Sequence, residues 1–234
     1  MKTNAIAIIP ARGGSKRIPK KNIKDFLGKP LIAYSIETAF RSGLFDKVIV
    51  STDDESIAKI AKEYGAEVPF MRSAELADDF SSSGDAVADT VKRLQAMGEK
   101  FDFVCTLYAT APLLDEKYLK KGLEMLKDSD AKMAFSVTSM PFPIQRTFKI
   151  TDKNRCEMFW PQNYSKRSQD LEEAYQDAGQ FYWEDINKEW KDIPFGSQSI
   201  PVILPREYVQ DIDTPEDWRR AELMYKIVQE SKTK

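Results

Sequence analysis

The sequence contains no histidine. Ser-His-Asp and Cys-His nucleophilic chemistry are therefore excluded, as are histidine-held zinc and haem, and any bound metal must be met by oxygen ligands. Cysteine is scarce: Cys105 and Cys156 are the two, far apart and outside any C-x-x-C pattern, which argues against a disulfide framework or a zinc knuckle. A reduced, cytoplasmic protein is expected. No apolar run approaches the length of a membrane span, and residues 1–10 lack the apolar core of a secretion signal. Neither G-x-G-x-x-G nor the P-loop spacing occurs, and there is no internal repeat or low-complexity tract. Nor does either charge dominate. With 35 Lys+Arg against 37 Asp+Glu, general nucleic-acid binding is not expected.

What is present is unevenly placed. Residues 12–29 hold seven cations and one acid, so the basic charge is concentrated near the start, a pattern that favours a compact anion over a long polyanion. The stretch from Ile6 to Asn22 reads IAIIPARGGSKRIPKKN. A short strand-type run stops at Pro10 and opens into a loop with two glycines and the cations Arg12, Lys16, Arg17, Lys20 and Lys21. Glycines let the main chain approach an anion, consecutive N–H groups can form a donor nest, and the cations neutralise phosphate charge. A first strand that ends in such a loop marks the ligand side of an open α/β sheet.

At 234 residues and 42% hydrophobic, the chain can bury the core of one large domain. After the loop, Ile32, Ile36, Ala39 and Phe40 recur at helical spacing and Gly43 suits the helix end. KVIVS (47–51) reads as a buried strand, and Thr52-Asp53-Asp54 can cap a helix faced by Ile57, Ala61 and Tyr64. A helix over about 85–97 faces inward with Ala86, Thr90, Leu94 and Met97. Strand FDFVCTLY (101–108) follows, then a helix capped by Asp115 with Leu119, Leu123 and Leu126 buried, and a strand at 133–137. From 139 to about 178 prolines and aromatics replace this rhythm, which reads as an insertion acting as dimer arm or lid. Strand 179–183, a short helix near 185–191 and strand SIPVIL (199–204) precede a closing helix with Thr214 as N-cap, Pro215 at N1, and Trp218, Ala221, Tyr225 and Val228 inward. Strand and helix in alternation imply right-handed βαβ units. The expectation is α/β: one domain over 1–234 with a Rossmann-like three-layer α/β/α architecture, a mostly parallel sheet and a small inserted subdomain.

Three constellations carry chemistry. In DIDTPED, Asp211 and Asp213 are two apart in a segment expected to be extended, so both carboxylates point one way and can recruit Mg²⁺ beside a phosphate site, or Asp213 simply supports the turn before the capped helix while Asp211 is exposed. Arg72 and the serines 81–83 precede a helix and offer donors to a base or ribose, or simply cap that helix. Arg167 and Gln169 combine a guanidinium with an amide; they suit a sugar carboxylate, or Arg167 pairs with Glu172 or Glu173 at the surface.

These motifs resemble the cytidylyltransferases that activate sialic-acid-like nine-carbon sugars and the eight-carbon sugar Kdo. IIPARGGSKRIPKKN is similar to that family's CTP signature, MRSAELADDFSSS to its base segment and VQDIDTPED to its metal segment, and the resemblance runs over essentially the whole chain. It implies a nucleotidyltransferase-type sheet, CTP as co-substrate and Mg²⁺. Ala11, Arg12, Gly13, Gly14, Ser15, Lys16, Lys21, Asn22, Arg72 and Ser83 would hold CTP, and Asp211 and Asp213 the metal. Arg12, Lys21 and Asp211 would be catalytic. Tyr108, Arg167, Gln169, Gln180 and Tyr182 would meet the sugar. MFWPQNYSKRSQDLEEAYQDAGQFYW is most similar to members acting on pseudaminic acid. Where sialic acid members tend to read Q-P-T-S-P-L-R, this chain has Tyr108-Ala109-Thr110-Ala111-Pro112-Leu113-Leu114, and Ala109 departs from the pseudaminic pattern too. The implied reaction joins CTP to that sugar and releases pyrophosphate. Legionaminic acid, sialic acid or Kdo are alternative acceptors, a sugar-1-phosphate nucleotidyltransferase is a further rival, and a nucleotide binder without turnover is disfavoured. A homodimer is expected.

Overall fold

A computed structural model describes residues 4–76 and 82–232. The first strand, β1 (Ala5–Pro10), shows why the sheet is buried on both sides. Ala5, Ala7 and Ile9 join one apolar cluster while Ile6 and Ile8 join another, so the period-two alternation feeds two cores at once. The other main strands are β2 (Lys47–Ser51), β3 (Phe103–Leu107), β4 (Met133–Ser139), β5 (Tyr175–Asp185) and β6 (Ser199–Leu204). They form one six-stranded sheet in the order β6-β4-β5-β3-β1-β2. β2 and β3 run parallel to β1, and β6 parallel to β4; β5 alone is antiparallel, to both its neighbours.

Helices α1 (Leu31–Ser42), α2 (Glu55–Glu63) and α4 (Glu116–Lys127) contribute Ile32, Ile36, Ile57, Ala61, Leu119, Leu123 and Leu126 to the larger core. On the other face, α3 (Ser83–Ala96) packs Val87 and Leu94 over Ile6, Ile8, Ile49 and Val104. The β4–β5 part of that face carries Met133, Phe135, Val137 and Tyr182, packed by Tyr108 and Trp190, with Phe195 tilted against Phe135. α5 (Pro215–Lys232) closes a third cluster of Ile18, Phe26, Leu31, Tyr34, Ile212, Trp218 and Ala221, which ties the second half of the basic loop and the chain after it to the last helix.

The caps follow the expected residues. Asp54 accepts from the Ser56 and Ile57 amides, and Asp115 from that of Lys117. Thr214 exchanges hydrogen bonds with Asp217 in a capping box. Three expectations are corrected. Residues 185–191 form no helix: the Lys132 ammonium donates to the Asp185 and Lys188 carbonyls, and Lys188 to those of Ser129 and Ala131, so reciprocal lysine bonds pin this segment to the approach of β4. Phe40 is not core; it lies half exposed over Gly65, where φ is +89° and a side chain would meet the ring. Met97 is exposed because the helix ends before it, at Ala96.

Between β4 and β5 the chain leaves the sheet. A short antiparallel pair, Phe148–Ile150 with Cys156–Met158, is flanked by single 3₁₀ turns. Its base is closed by the Met140 amide donating to the Ala174 carbonyl at 2.8 Å. No helix among the described residues is long and apolar enough to cross a membrane.

Candidate active site

A cleft of about 510 Å³ opens beyond the carboxyl ends of β1 and β3, where the strand order reverses and open α/β sheets bind ligands. Its walls come from four separate segments. The loop after β1 supplies Arg12, Ser15, Lys16, Arg17, Lys21 and Asn22; the start of α3 supplies Ser83; the turn after β3 supplies Tyr108, Ala109 and Thr110; and the segment before α5 supplies Asp211 and Asp213.

The basic loop is held by specific contacts. The Ala11 amide donates to the Ser51 carbonyl, and the Asn22 side chain, almost wholly buried, donates to the Arg12 carbonyl at 3.0 Å. Asn22 therefore shapes the loop from behind. The Gly13 amide donates to Asp53 Oδ1 at 3.0 Å, and the Ser15 amide to the Gly13 carbonyl. Those two donors serve the loop itself, which leaves phosphate neutralisation chiefly to the side chains. A Cβ on Gly13 would lie 2.9 Å from Asp54 Cβ, whereas one on Gly14 would meet nothing within 4 Å. The first glycine is thus required by close approach. Gly13→Ala should weaken nucleotide binding by about tenfold, the scale of one displaced hydrogen-bonding contact in the loop, while Gly14→Ala changes it by less than about threefold. Nucleotide titration calorimetry on both variants checks this; equal affinities would show that the Asp54 contact is unimportant.

Lys21 links the loop to the acidic segment. Its ammonium donates to the Ile212 carbonyl at 2.5 Å and to Asp213 Oδ1 at 3.2 Å. Arg17, which sequence reasoning counted as loop charge without giving it a role, reaches Asp213 Oδ2 at 2.7 Å. The Asp211 carboxyl is pushed above the usual carboxylate range by burial and then by repulsion from Asp213, with Lys21 opposing. A buried carboxylate beside a second carboxylate is a place where a further cation is favourable. An oxygen-only donor pair suits Mg²⁺, which takes one or two carboxylates and completes its shell with phosphate and water. No group of three or more His, Cys, Asp or Glu able to cage a metal occurs among the described residues.

Arg72, Gln180, Tyr182, Arg167 and Gln169 lie outside the cleft wall. Arg72 is buried at the end of β2, donating to the Ser51 carbonyl and, at 3.3 Å, to Ser51 Oγ. Burial lowers its pKa, with Asp53 opposing and the like charge of Arg12 assisting, so an anion between the two arginines would be favourable. The helix cap is Ser82, in a capping box with Asp85, which leaves the Ser83 side chain to the cleft; Ser81 lies outside the described residues. The Tyr182 hydroxyl donates to Asp177 at 2.7 Å, and its ring tilts against Tyr108 at 5.3 Å; burial pushes its pKa up. Gln180 is buried, donates to the Tyr208 carbonyl at 2.5 Å and leaves Oε1 without a partner. Arg167 and Gln169 stay away from the cleft. Arg167 makes a two-pronged pair with Asp170, at 2.7 and 2.9 Å, rather than with Glu172 or Glu173, because the single 3₁₀ turn at 168–170 brings position i+3 round to it.

A family model described as Cytidylyltransferase matches residues 6–225. Pseudaminic acid cytidylyltransferase of Campylobacter jejuni (serotype O:23/36, strain 81-176) is 49% identical over 228 residues, covering 97% of this chain and 98% of that protein. The CMP-N,N'-diacetyllegionaminic acid synthase of Legionella pneumophila is 32% identical over 97% of this chain and 98% of its own length. A solved structure of CMP:2-keto-3-deoxy-manno-octonic acid synthetase complexed with CTP superposes with a TM-score of 0.68 at 17% identity, covering 97% of this chain and 99% of that one, and shares the fold. With the family model spanning nearly the whole chain, from β1 to α5, the chain belongs to the cytidylyltransferase family.

Proposed function

We propose that the chain transfers the cytidylyl group of CTP to pseudaminic acid, giving the CMP-sugar and pyrophosphate. The observation that carries this reading is the meeting, through Lys21, of the basic loop and the Asp211/Asp213 pair in one cleft. The choice of sugar is supported by the 49% identity to the Campylobacter enzyme. The sugar's anomeric hydroxyl attacks the α-phosphorus, the new O–P bond forms in line, and the bond to pyrophosphate breaks. Arg12, Lys16 and Lys21 hold the phosphates; Ser83 faces the base, with Arg72 behind the wall; Tyr108 borders the sugar, with Gln180 and Tyr182 supporting that side from behind. Asp211 and Asp213 would hold Mg²⁺, which when bound neutralises charge and lowers the pKa of the attacking hydroxyl. Positioning and charge neutralisation do most of the work, as expected for phosphoryl-type transfer.

The excursion between β4 and β5 exposes Phe142 and Tyr164, each 78% accessible, together with Phe148, Ile150 and Phe159. Such a band favours a homodimer, in which Arg167 and Gln169 serve the cleft of the second copy. Sedimentation showing only monomer at working concentration would remove that role. The enzyme works in the cytoplasm, where CTP is available.

The test is a pyrophosphate-release panel with CTP and pseudaminic, legionaminic, sialic and Kdo acceptors. Pseudaminic acid should give the highest kcat/KM, and release only with another acceptor would reassign the sugar. In parallel, CTP should raise Tm more than ATP, GTP or UTP does, by the ratio of concentration to Kd. Preferential stabilisation by UTP or GTP would instead favour a sugar-1-phosphate nucleotidyltransferase.

A further inference from the structure

We propose that Arg17 is a placeholder cation on Asp213, displaced by a divalent metal as the site loads and then turned to the phosphates of the nucleotide. The inference rests on the reading that Asp211 and Asp213 hold the metal. Both oxygens of Asp213 carry a protein cation: Arg17 Nη2 lies 2.7 Å from Oδ2 and Lys21 Nζ 3.2 Å from Oδ1. A hard cation bonds carboxylate oxygen directly, so it cannot use Asp213 fully until one of these cations gives way.

The two cations differ in how they are held. The Lys21 side chain is 17% exposed and its ammonium also donates to the Ile212 carbonyl, which fixes it between the loop and the acidic segment. The Arg17 side chain is 66% exposed. An exposed pair between a long, mobile side chain and a carboxylate is weak and exchanges partners readily. Oδ2 is therefore the oxygen that can be vacated, and Arg17 the group that leaves it.

Where the guanidinium goes is set by its surroundings. Arg17 lines the same cleft as Arg12 and Lys16, which the triphosphate must enter, and its planar fork matches phosphate oxygens. Loading is then an exchange in which the metal takes the carboxylate and the guanidinium takes a phosphate. Before nucleotide arrives, Arg17 and the metal compete for one oxygen. Afterwards they act together on the polyphosphate.

The test is a water-proton relaxation titration with Mn²⁺ on nucleotide-free protein. Arg17→Gln should bind Mn²⁺ about two- to fivefold more tightly than wild type, the fold-change that an exposed ion pair is worth. Lys20→Gln removes the same charge from an exposed position in the same loop, outside the cleft wall, and should tighten Mn²⁺ less. Asp213→Asn should weaken it. If Arg17→Gln fails to tighten Mn²⁺, or tightens it no more than Lys20→Gln does, while Asp213→Asn still weakens it, the placeholder is overturned and the metal reading stands. If Asp213→Asn leaves Mn²⁺ binding unchanged, both fail. The second half is read at saturating Mn²⁺, where Arg17→Gln should raise the KM for CTP several-fold; an unchanged KM overturns the transfer to phosphate. Equal Tm values for wild type and Arg17→Gln exclude misfolding as the source of either effect.

Discussion

Lys21→Met is expected to reduce CMP-sugar formation by about 10²-fold or more, the scale seen when one preorganised electrostatic contact to a developing charge is removed. The methionine keeps most of the side chain's apolar bulk, so the change isolates the ammonium. That ammonium does two things at once. It contributes positive charge to the cleft, and through the Ile212 carbonyl and Asp213 it ties the loop after β1 to the segment before α5, two stretches nearly the whole chain apart. Loss of the first function alone would fall mainly on kcat; loss of the second would also raise the KM for CTP, because the acidic pair would no longer be held opposite the loop. Both parameters should move, with kcat the more strongly affected. Single-turnover and steady-state pyrophosphate release separate them. Asp211→Asn is the companion. At saturating Mg²⁺ it should lose activity on a similar scale, yet at neutral pH be no less stable than wild type, since it removes a charge that burial, and then repulsion from Asp213, disfavour. Full activity in Asp211→Asn would withdraw Asp211 from the metal assignment.

Trp183→Ala should be the most destabilising single change, costing about 3–5 kcal/mol, as expected for a fully buried aromatic truncated in a close-packed core. Trp183 is completely buried, its indole N–H donates to the Leu119 carbonyl at 3.1 Å, and its ring stacks on Phe45 at 5.1 Å. Gly122 of α4 makes room for it: a Cβ there would lie 3.1 Å from the indole. Truncation would therefore open a cavity between β5 and α4 and also remove the indole's hydrogen bond to the helix. For a chain of this size the loss corresponds to about a 10 °C fall in Tm. Trp183→Phe should recover part of it, lacking the indole N–H but retaining the stacking. Calorimetry or urea unfolding checks both, and a fall below about 2 °C in Trp183→Ala would mean that the neighbouring side chains close the cavity.

The fold was legible where a residue's local chemistry and its tertiary environment ask for the same thing. The apolar run of β1, the Asp54, Asp115 and Thr214 caps and the leucine face of α4 are cases in point, since each is fixed within a few residues of sequence. Legibility failed where distant groups intervened. Nothing between 185 and 191 announces that Lys132, some fifty residues earlier, takes up its carbonyls, and the apolar Phe40 reads as core although only a glycine lies beneath it. The same division holds in the cleft. Residues in contiguous motifs, such as Arg12, Lys16, Lys21, Asp211 and Asp213, converge. Arg72 and Gln180 lie behind the wall, because main-chain carbonyls already engage their side chains. The role of Arg17 depends on a partner almost two hundred residues away, which no local pattern discloses.

The base of the excursion between β4 and β5 has a consequence for how the molecule assembles. β4 and β5 pair antiparallel up to Ser139 opposite Tyr175, and the Met140–Ala174 hydrogen bond then seals the neck. The entropy of closing this long loop is therefore met once, at the neck, and it grows only slowly with the number of residues beyond. The sheet can acquire its register before the excursion is ordered, and the excursion can change in length or composition without shifting a strand. An evolving acceptor preference, or a changed mode of self-association, would thus have a tract to vary in that leaves the nucleotide cleft undisturbed.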